Sequence, residues 1–335
     1  MATLPENEHR ANCLRAAMAA VEPRLRQVEA FIAGELAAGP TVIEQAGTYV
    51  FASGGKRLRP ALLLLVSRLL GYQGHKDVRY AALIEMVHTA TLVHDDIIDH
   101  AAMRRGRVSV NRRWGNQLTV LLGDWLYTRS MEIALEVDDL EVMRVLSRAT
   151  IQMIEGEVLG LSLQGRLDIT QEQYLEIARR KTAELFAAAC CIPSLFEDSF
   201  GQYREVLSEY GRNLGMCFQI VDDLLDFTSS EAQLGKPVFA DLREGKLTLP
   251  LILALPHLTE SQRAAVAQVA AQGSFADLNP EELRHWLTEL GALEAARRVA
   301  AAFGERASEL AGKLPESPER EALAAAPWYV LDRQS

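Results

Sequence analysis

The sequence predicts an all-α fold, one large helical bundle, and three observations carry that expectation. Apolar residues recur three and four apart in nearly every segment, as in "LEIARRKTAELFAAACC" (175–191) and "LSEYGRNLGMCFQIVDDLLDF" (207–227). β-branched runs with strict alternation, the mark of half-buried strands, are absent. Breakers are short and local, and no Ser/Gly linker, low-complexity tract or fixed-period repeat divides the chain. Residues 1–335 therefore read as a single domain.

In chain order, residues 1–44 are an N-terminal helical segment interrupted at "AGP" (38–40). The loops that follow are "SGGKRLRP" (53–60), "MRRGRVSVN" (103–111), "QGRLD" (164–168) and "LGKPVFADLREGK" (234–246). Helix starts are signalled twice. "TQEQ" (170–173) offers a Thr N-cap with Gln three residues later, and "NPEEL" (279–283) puts Pro in the first turn. Residues 257–335 are Ala- and Glu-rich and helical, and carry no catalytic constellation. Their expected use is packing and subunit contact.

Composition bounds the function. With 335 residues, 49% hydrophobic, the chain can bury a large core. A net charge of −10 argues against a general nucleic-acid binder and against simple electrostatic docking on anionic lipid. The polar start "MATLPENEHR" has no apolar signal region, and the longest apolar stretches, "ALLLLV" and "LPLILALP", are far short of the roughly 18 residues of a membrane span. Cys13, Cys190, Cys191 and Cys217 form no CxxC pair and read as small buried residues in a reducing compartment. A cytoplasmic protein is expected.

The chemistry concentrates in two places. "LVHDDIIDHAAMRRG" (92–106) carries Asp95, Asp96 and Asp99, with Asp95 and Asp99 on one helical face. "QIVDDLLDF" (219–227) repeats the spacing with Asp222, Asp223 and Asp226 among apolar residues, where unpaired charge is costly. Two such helices facing each other across a central cavity would form a cage of carboxylate oxygens. Hard oxygen ligands select Mg²⁺, which keeps several waters and completes its shell with substrate phosphate. Basic residues recur at separate loops: Lys56, Arg57 and Arg59 in "GGKRLRP", Arg104 and Arg105 before the bend at Gly106, Lys181 beside Thr182, then Lys236 and Lys246. "GGKRLRP" lacks the P-loop pattern, so it is not read as an ATP site. In an acidic chain these clusters suggest two anionic groups, one held through Mg²⁺ and one held directly by Lys and Arg.

With these residues in hand, the chain resembles the trans-isoprenyl diphosphate synthases (polyprenyl synthetases). The resemblance runs from about residue 45 to about 255 and rests on "GGKRLRP", "DDIIDHAAMRRG", "KTAEL", "FQIVDDLLDF" and "GKPVFADLREGKLTLP" occurring in the family's order. It implies the isoprenoid-synthase bundle, and it implies roles. Lys56, Arg59, His88 and Arg105 would hold the diphosphate of isopentenyl diphosphate without metal. Asp95 and Asp99, with Asp222 opposite, would bind Mg²⁺, three ions in all, on an allylic diphosphate such as farnesyl diphosphate. Asp96, Asp223 and Asp226 would give direct or water-mediated support. Arg104, Lys181, Thr182, Gln219, Lys236 and Lys246 would surround the allylic diphosphate and the developing cation. Asp95, Asp99, Arg104, Lys181 and Asp222 are thus the catalytic candidates. The family is usually homodimeric, and an apolar product implies at most transient membrane contact.

Product length turns on the residues before the first motif. Helical geometry places Val87, His88 and Thr91 near Asp95's direction, at roughly 100° per residue. The resemblance adds Ala90, small where short-chain farnesyl synthases carry an aromatic plug, so "HTATLVHDD" is most like the long-chain, octaprenyl type. Trp125, Met131 and Leu135 are candidate floor residues. Close packing of Ala90 against a neighbouring helix is the plainer alternative, which leaves a short-chain synthase open. A class I terpene cyclase is disfavoured by the second "DDLLD". A di-iron bundle needs two Glu-x-x-His helices and finds only "EMVH" (85–88) and the polar "ENEH" (6–9). A non-enzymatic helical scaffold leaves the ordered basic motifs unexplained.

Overall fold

The computed structural model describes residues 6–55, 57–104, 106–136, 139–228 and 238–333. Its fold is all-α, as the periodicity predicts. The N-terminal half comprises α1 (Glu6–Ala37), α2 (Thr41–Phe51), α3 (Leu58–Leu69), α4 (Lys76–Ile98), α5 (Val110–Trp114), α6 (Asn116–Glu136) and α7 (Leu140–Leu163). Then α8 (Gln171–Ala178) passes through a π-helical turn, Arg179–Ala183, into α9 (Glu184–Cys191). Beyond lie α10 (Arg204–Thr228), the short α11 (Ala240–Arg243), α12 (Leu249–Ala254), α13 (Glu260–Gln272), α14 (Pro280–Glu289), α15 (Ala292–Ala311) and α16 (Pro318–Leu331). No described helix is long and apolar enough to cross a membrane.

Local chemistry explains the boundaries. At α8, Thr170 Oγ1 accepts from the Gln173 N–H at 3.2 Å while Gln173 Oε1 accepts from the Thr170 N–H at 2.9 Å, the reciprocal box read from "TQEQ". Pro280 opens α14 as read, and Asn279 is found to cap it, its side chain accepting from the Glu281 N–H. Two expectations are corrected. Within the predicted loop 234–246, Ala240–Arg243 form the short helix α11, a single turn too brief to leave a periodic signal. Residues 103–111 are not simply a loop: Met103–Arg104 and Arg107–Val108 pair as a minimal antiparallel hairpin, with Gly106 at φ +73° turning the chain. A two-residue ladder is too short to leave an alternation signal, which is why periodicity misses it.

Helix α4 lies at the centre. Tyr80, Ala81, Ala82, Leu83, Ile84, Met86 and Val87 are all 0% exposed, so this stretch is packed on every side, with buried Glu85 its one charged residue. It lies against α1, α3 and α6. Helix α10 packs on α9 and α15 and carries the second aspartate motif at its C-terminal end. Close approach there needs missing side chains: a Cβ on Gly215 would sit 2.7 Å from the Ala183 Cα. At the C-terminal end of the chain, α16 returns to pack on α1. Cys190, Cys191 and Cys217 are buried free thiols, as expected, whereas Cys13 is only partly buried.

Candidate active site

The first motif closes α4. Asp95 lies in its last turn and Asp99 is its C-cap, so the backbone brings both carboxylates to the helix mouth. Each faces a lysine from elsewhere in the chain. Lys181 Nζ is 3.8 Å from Asp95 and pairs more closely with Glu157 on α7. Lys246 Nζ is 2.7 Å from Asp99 and 2.8 Å from Glu244. Asp96 points the other way. It is 2% exposed and pairs with Arg104 from the hairpin, while its backbone oxygen accepts from Asn111 Nδ2 at 2.9 Å.

Lys181 owes its position to the π-helical turn, an insertion common at functional sites. The turn rests directly on α7, because a Cβ on Gly156 would stand 2.7 Å from the Lys181 backbone nitrogen. The same turn reaches the second motif. Thr182 Oγ1 donates to Gln219 Oε1 at 2.6 Å, and Gln219 Nε2 donates to Asp223 Oδ1 at 2.6 Å. Tyr174 completes this relay, its hydroxyl donating to Asp223 Oδ2 at 2.6 Å. A second bridge runs through α11. Asp226 accepts from the N–H groups of Ala240 (3.2 Å) and Asp241 (3.3 Å), and five residues beyond Asp241 is Lys246 on Asp99. Two unrelated segments thus tie the aspartate helices together.

Burial and neighbouring charge set the electrostatics of these residues. Burial pushes the Asp95 carboxyl up to about 6; Lys181 opposes, while Glu157 and Asp99 add to it. Burial also raises Asp96, against the pull of Arg104. Asp223 is raised well above the usual carboxylate range by burial and by Asp241 nearby. Burial works to lower the Lys246 ammonium, but Asp99 and Glu244 outweigh it and hold it above its ordinary value.

These residues fit a divalent cation only in part as predicted. The donors are hard oxygens, and the ammonium groups on Asp95 and Asp99 show that positive charge is accommodated there. Among the described residues, however, no three carboxylates of the motifs converge as ligands, so they form no closed cage. Asp96, Asp223 and Asp226 are buried on protein donors, and direct coordination by them would break those contacts. Asp222, by contrast, is exposed.

Two of the residues expected to hold the second anionic group lie together. Arg59 Nη1 lies 3.0 Å from His88 Nε2, and the guanidinium stacks 4.5 Å over the Phe186 ring. His88 precedes Asp95 by two turns on the same face, about 10 Å along α4. Arg57 is turned away, held by buried Glu85 at 2.6 Å and by the Phe51 carbonyl at 2.6 Å. Lys56, Arg105 and Lys236 lie outside the described residues.

Below Asp95, Val87 and Ile84 are 0% and Ala90 2% exposed, so no open channel runs beside them; Thr91 is half-buried. Leu135, a candidate floor, is instead 57% exposed. Sequence reading missed Glu157, Tyr174 and Asp241. Glu157 alone had a signal, an acid within the apolar run "IEGEVLGL".

Known proteins resemble this chain in sequence and fold. A family model described as polyprenyl synthetase matches residues 40–284. An octaprenyl diphosphate synthase of Escherichia coli (strain K12) is 40% identical over 306 residues, covering 91% of this chain and 94% of that one. The crystal structure of a decaprenyl diphosphate synthase from Rhodobacter capsulatus superposes with a TM-score of 0.89 at 37% identity, covering 96% of this chain and 99% of that one. A polyprenyl synthase from Caulobacter crescentus CB15, complexed with calcium and isoprenyl diphosphate, gives 0.89 at 33% identity, covering 96% and 98%. Sequence and fold agree along nearly the whole chain, which belongs to the polyprenyl synthetase family.

Proposed function

We propose that this chain is a trans-polyprenyl diphosphate synthase. It is a prenyltransferase that condenses isopentenyl diphosphate head-to-tail (1'-4) with an allylic diphosphate such as farnesyl diphosphate, and repeats the step to a long all-trans product. The observation that carries this reading is a pair of charged clusters gathered around residues two turns apart on α4. One is ringed by Asp95, Asp99, Lys181 and Lys246, the other by Arg59 and His88.

The residues divide the work. Asp95, Asp99 and Asp222 would hold Mg²⁺, three ions with the allylic diphosphate, and calcium in a structural neighbour supports a divalent cation. Bound there, the metal would offset the charge that develops on the departing diphosphate. Lys181 and Lys246 would turn from the aspartates to the same oxygens, Arg104 and Lys236 would join them, and together these cations would stabilise the charge that develops as the allylic C–O bond ionises. Arg59 and His88, with Lys56 and Arg105, orient the second diphosphate so that its double bond meets the cation. Thr182 and Gln219 set the polar wall. Val87, Ala90 and the buried face of α4 exclude water from the carbocation. Among the described residues no side chain is placed as an obvious base, and the released diphosphate would take the proton.

Because α4 is closed below Asp95, the growing chain enters by displacing Val87, Thr91 and their neighbours, and the small Ala90 makes room. The chain acts as one all-α unit (1–335) in the cytoplasm, and as a homodimer. The exposed apolar stripe Ile151, Ile154, Val158 and Leu161 on α7, beside Val120 and Leu121 on α6, supports a second copy there. Incubation with farnesyl diphosphate, labelled isopentenyl diphosphate and Mg²⁺, with products sized by chromatography, tests the reading. A ladder ending at a long polyprenyl diphosphate is expected. Failure to incorporate label with any allylic primer would sink it.

A further inference from the structure

Outside the elements that carry the aspartate motifs, three potential metal ligands converge at the junction of α1 and α16. Cys13 Sγ lies 3.6 Å from His9 Nε2 and 3.8 Å from Glu321 Oε2, although Cys13 and Glu321 are 308 residues apart in sequence. All three ligand atoms lie within 4.8 Å of one another. Among the described residues this is the only such group of three.

We propose that His9, Cys13 and Glu321 form a surface Zn²⁺ site that fastens the N-terminal helix to the C-terminal one. Three arguments lead there. The first is metric: Zn–S near 2.3 Å and Zn–N near 2.0–2.1 Å in a tetrahedron put the ligand atoms about 3.6 Å apart. The observed separations already match, so the cation enters between side chains that need little movement. The second is positional. His9 and Cys13 are four apart, hence on one face of α1, and that helix packs on α16. Glu321 stands in the first turn of α16, which begins at the Ser317 cap. The third is chemical. A thiolate, an imidazole and one carboxylate suit Zn²⁺, whereas Mg²⁺ asks for an octahedron of oxygens. The site would therefore not compete for the metal of the aspartate motifs.

Exposure sets the fourth ligand. His9 and Glu321 are exposed and Cys13 is partly buried, so one position stays open to water. The remaining cysteines cannot substitute, since Cys190 and Cys217 are 0% and Cys191 5% exposed. Without metal the Cys13 thiol keeps its proton, raised by burial and by Glu321, and donates it to that carboxylate. On binding, this proton leaves to solvent and the sulfur takes its place as a ligand.

The test uses the full-length chain, stripped of metal and held in excess Mg²⁺, titrated with Zn²⁺ against a chromophoric chelator. One Zn²⁺ per chain is expected, with Tm raised by its addition. Cys13→Ser and His9→Ala should each weaken binding by at least about a hundredfold, beyond the cost of losing a merely supporting contact. Asp95→Asn should bind Zn²⁺ like the parent. Co²⁺ added to the parent should give a thiolate-to-metal charge-transfer band, which needs no variant to fold. Absence of stoichiometric Zn²⁺, absence of that band, or Zn²⁺ binding lost in Asp95→Asn but kept in Cys13→Ser would each overturn the site. The Zn²⁺ readouts are independent of turnover, so prenyltransferase activity can fail or persist in any of these proteins without deciding this outcome.

Discussion

The two aspartate motifs share a spacing and differ in almost everything else. In the first, each carboxylate faces a cation: Lys181 by Asp95, Arg104 on Asp96, Lys246 on Asp99. In the second, Asp223 is held by the neutral donors Tyr174 and Gln219, Asp226 accepts backbone N–H groups of α11, and Asp222 is exposed. The difference teaches that the division between binding and supporting acids, implied by the resemblance, has a physical counterpart in what each carboxylate touches. Asp95 and Asp99 stand against lysines at the site and Asp222 faces solvent, and the proposed mechanism has these three exchange partners with a substrate. Asp96, Asp223 and Asp226 hold the loops and helices that present the others.

The comparison breaks most sharply by mutation. Asp95→Asn and Asp99→Asn should lower kcat by about a thousandfold, the scale of removing preorganised charge, with Tm little changed. Steady-state turnover together with thermal melting checks this. Asp226→Asn should reverse the pattern, chiefly lowering Tm. If it too abolished turnover while leaving Tm intact, the division would be wrong.

Lys181→Gln comes next. It removes the cation between Asp95 and Glu157, and about a hundredfold loss in kcat is expected, with a smaller change in the KM for isopentenyl diphosphate. An effect confined to that KM would place Lys181 in the other anion site.

Tyr174→Phe probes the second motif without touching an acid. It deprives buried Asp223 of one donor and should cost about 1–3 kcal/mol, read by denaturant unfolding. An unchanged midpoint would mean that water replaces the hydroxyl.

A subtler effect follows from pH. Asp95 titrates near 6 when folded, above its ordinary 3.8, so the folded state holds this proton more tightly than the unfolded chain. Its contribution to stability is full below about pH 4 and is lost as pH rises through 6. The metal-free protein should therefore gain more Tm from Mg²⁺ at pH 7.5 than at pH 5, and equal gains would argue that the cation does not meet Asp95. Last, Ala90→Phe should shorten the longest product while costing about 1–3 kcal/mol from overpacking a 2% exposed site. Unchanged product length would remove Ala90 from the path of the growing chain.

The sequence by itself determined what is local. Helical periodicity, the caps at Thr170 and Asn279, and the pairing of aspartates four apart all depend on residues within a turn or two, and each is present. It also put Asp95, Asp99, Lys181 and Lys246 among the candidates by residue type. What it could not supply was orientation. Asp95 and Asp96 are adjacent, yet one stands at the site and the other turns into the protein, because a 100° step carries neighbours to different faces and only the packed bundle says which face is which. The tertiary structure alone decided that a π-helical turn delivers Lys181 to Asp95, that Tyr174 secures Asp223, and that α4 is closed below the site. It alone brought Cys13 to Glu321. Such contacts join residues far apart in the chain, and their geometry follows from how whole helices pack, a property no window of sequence contains.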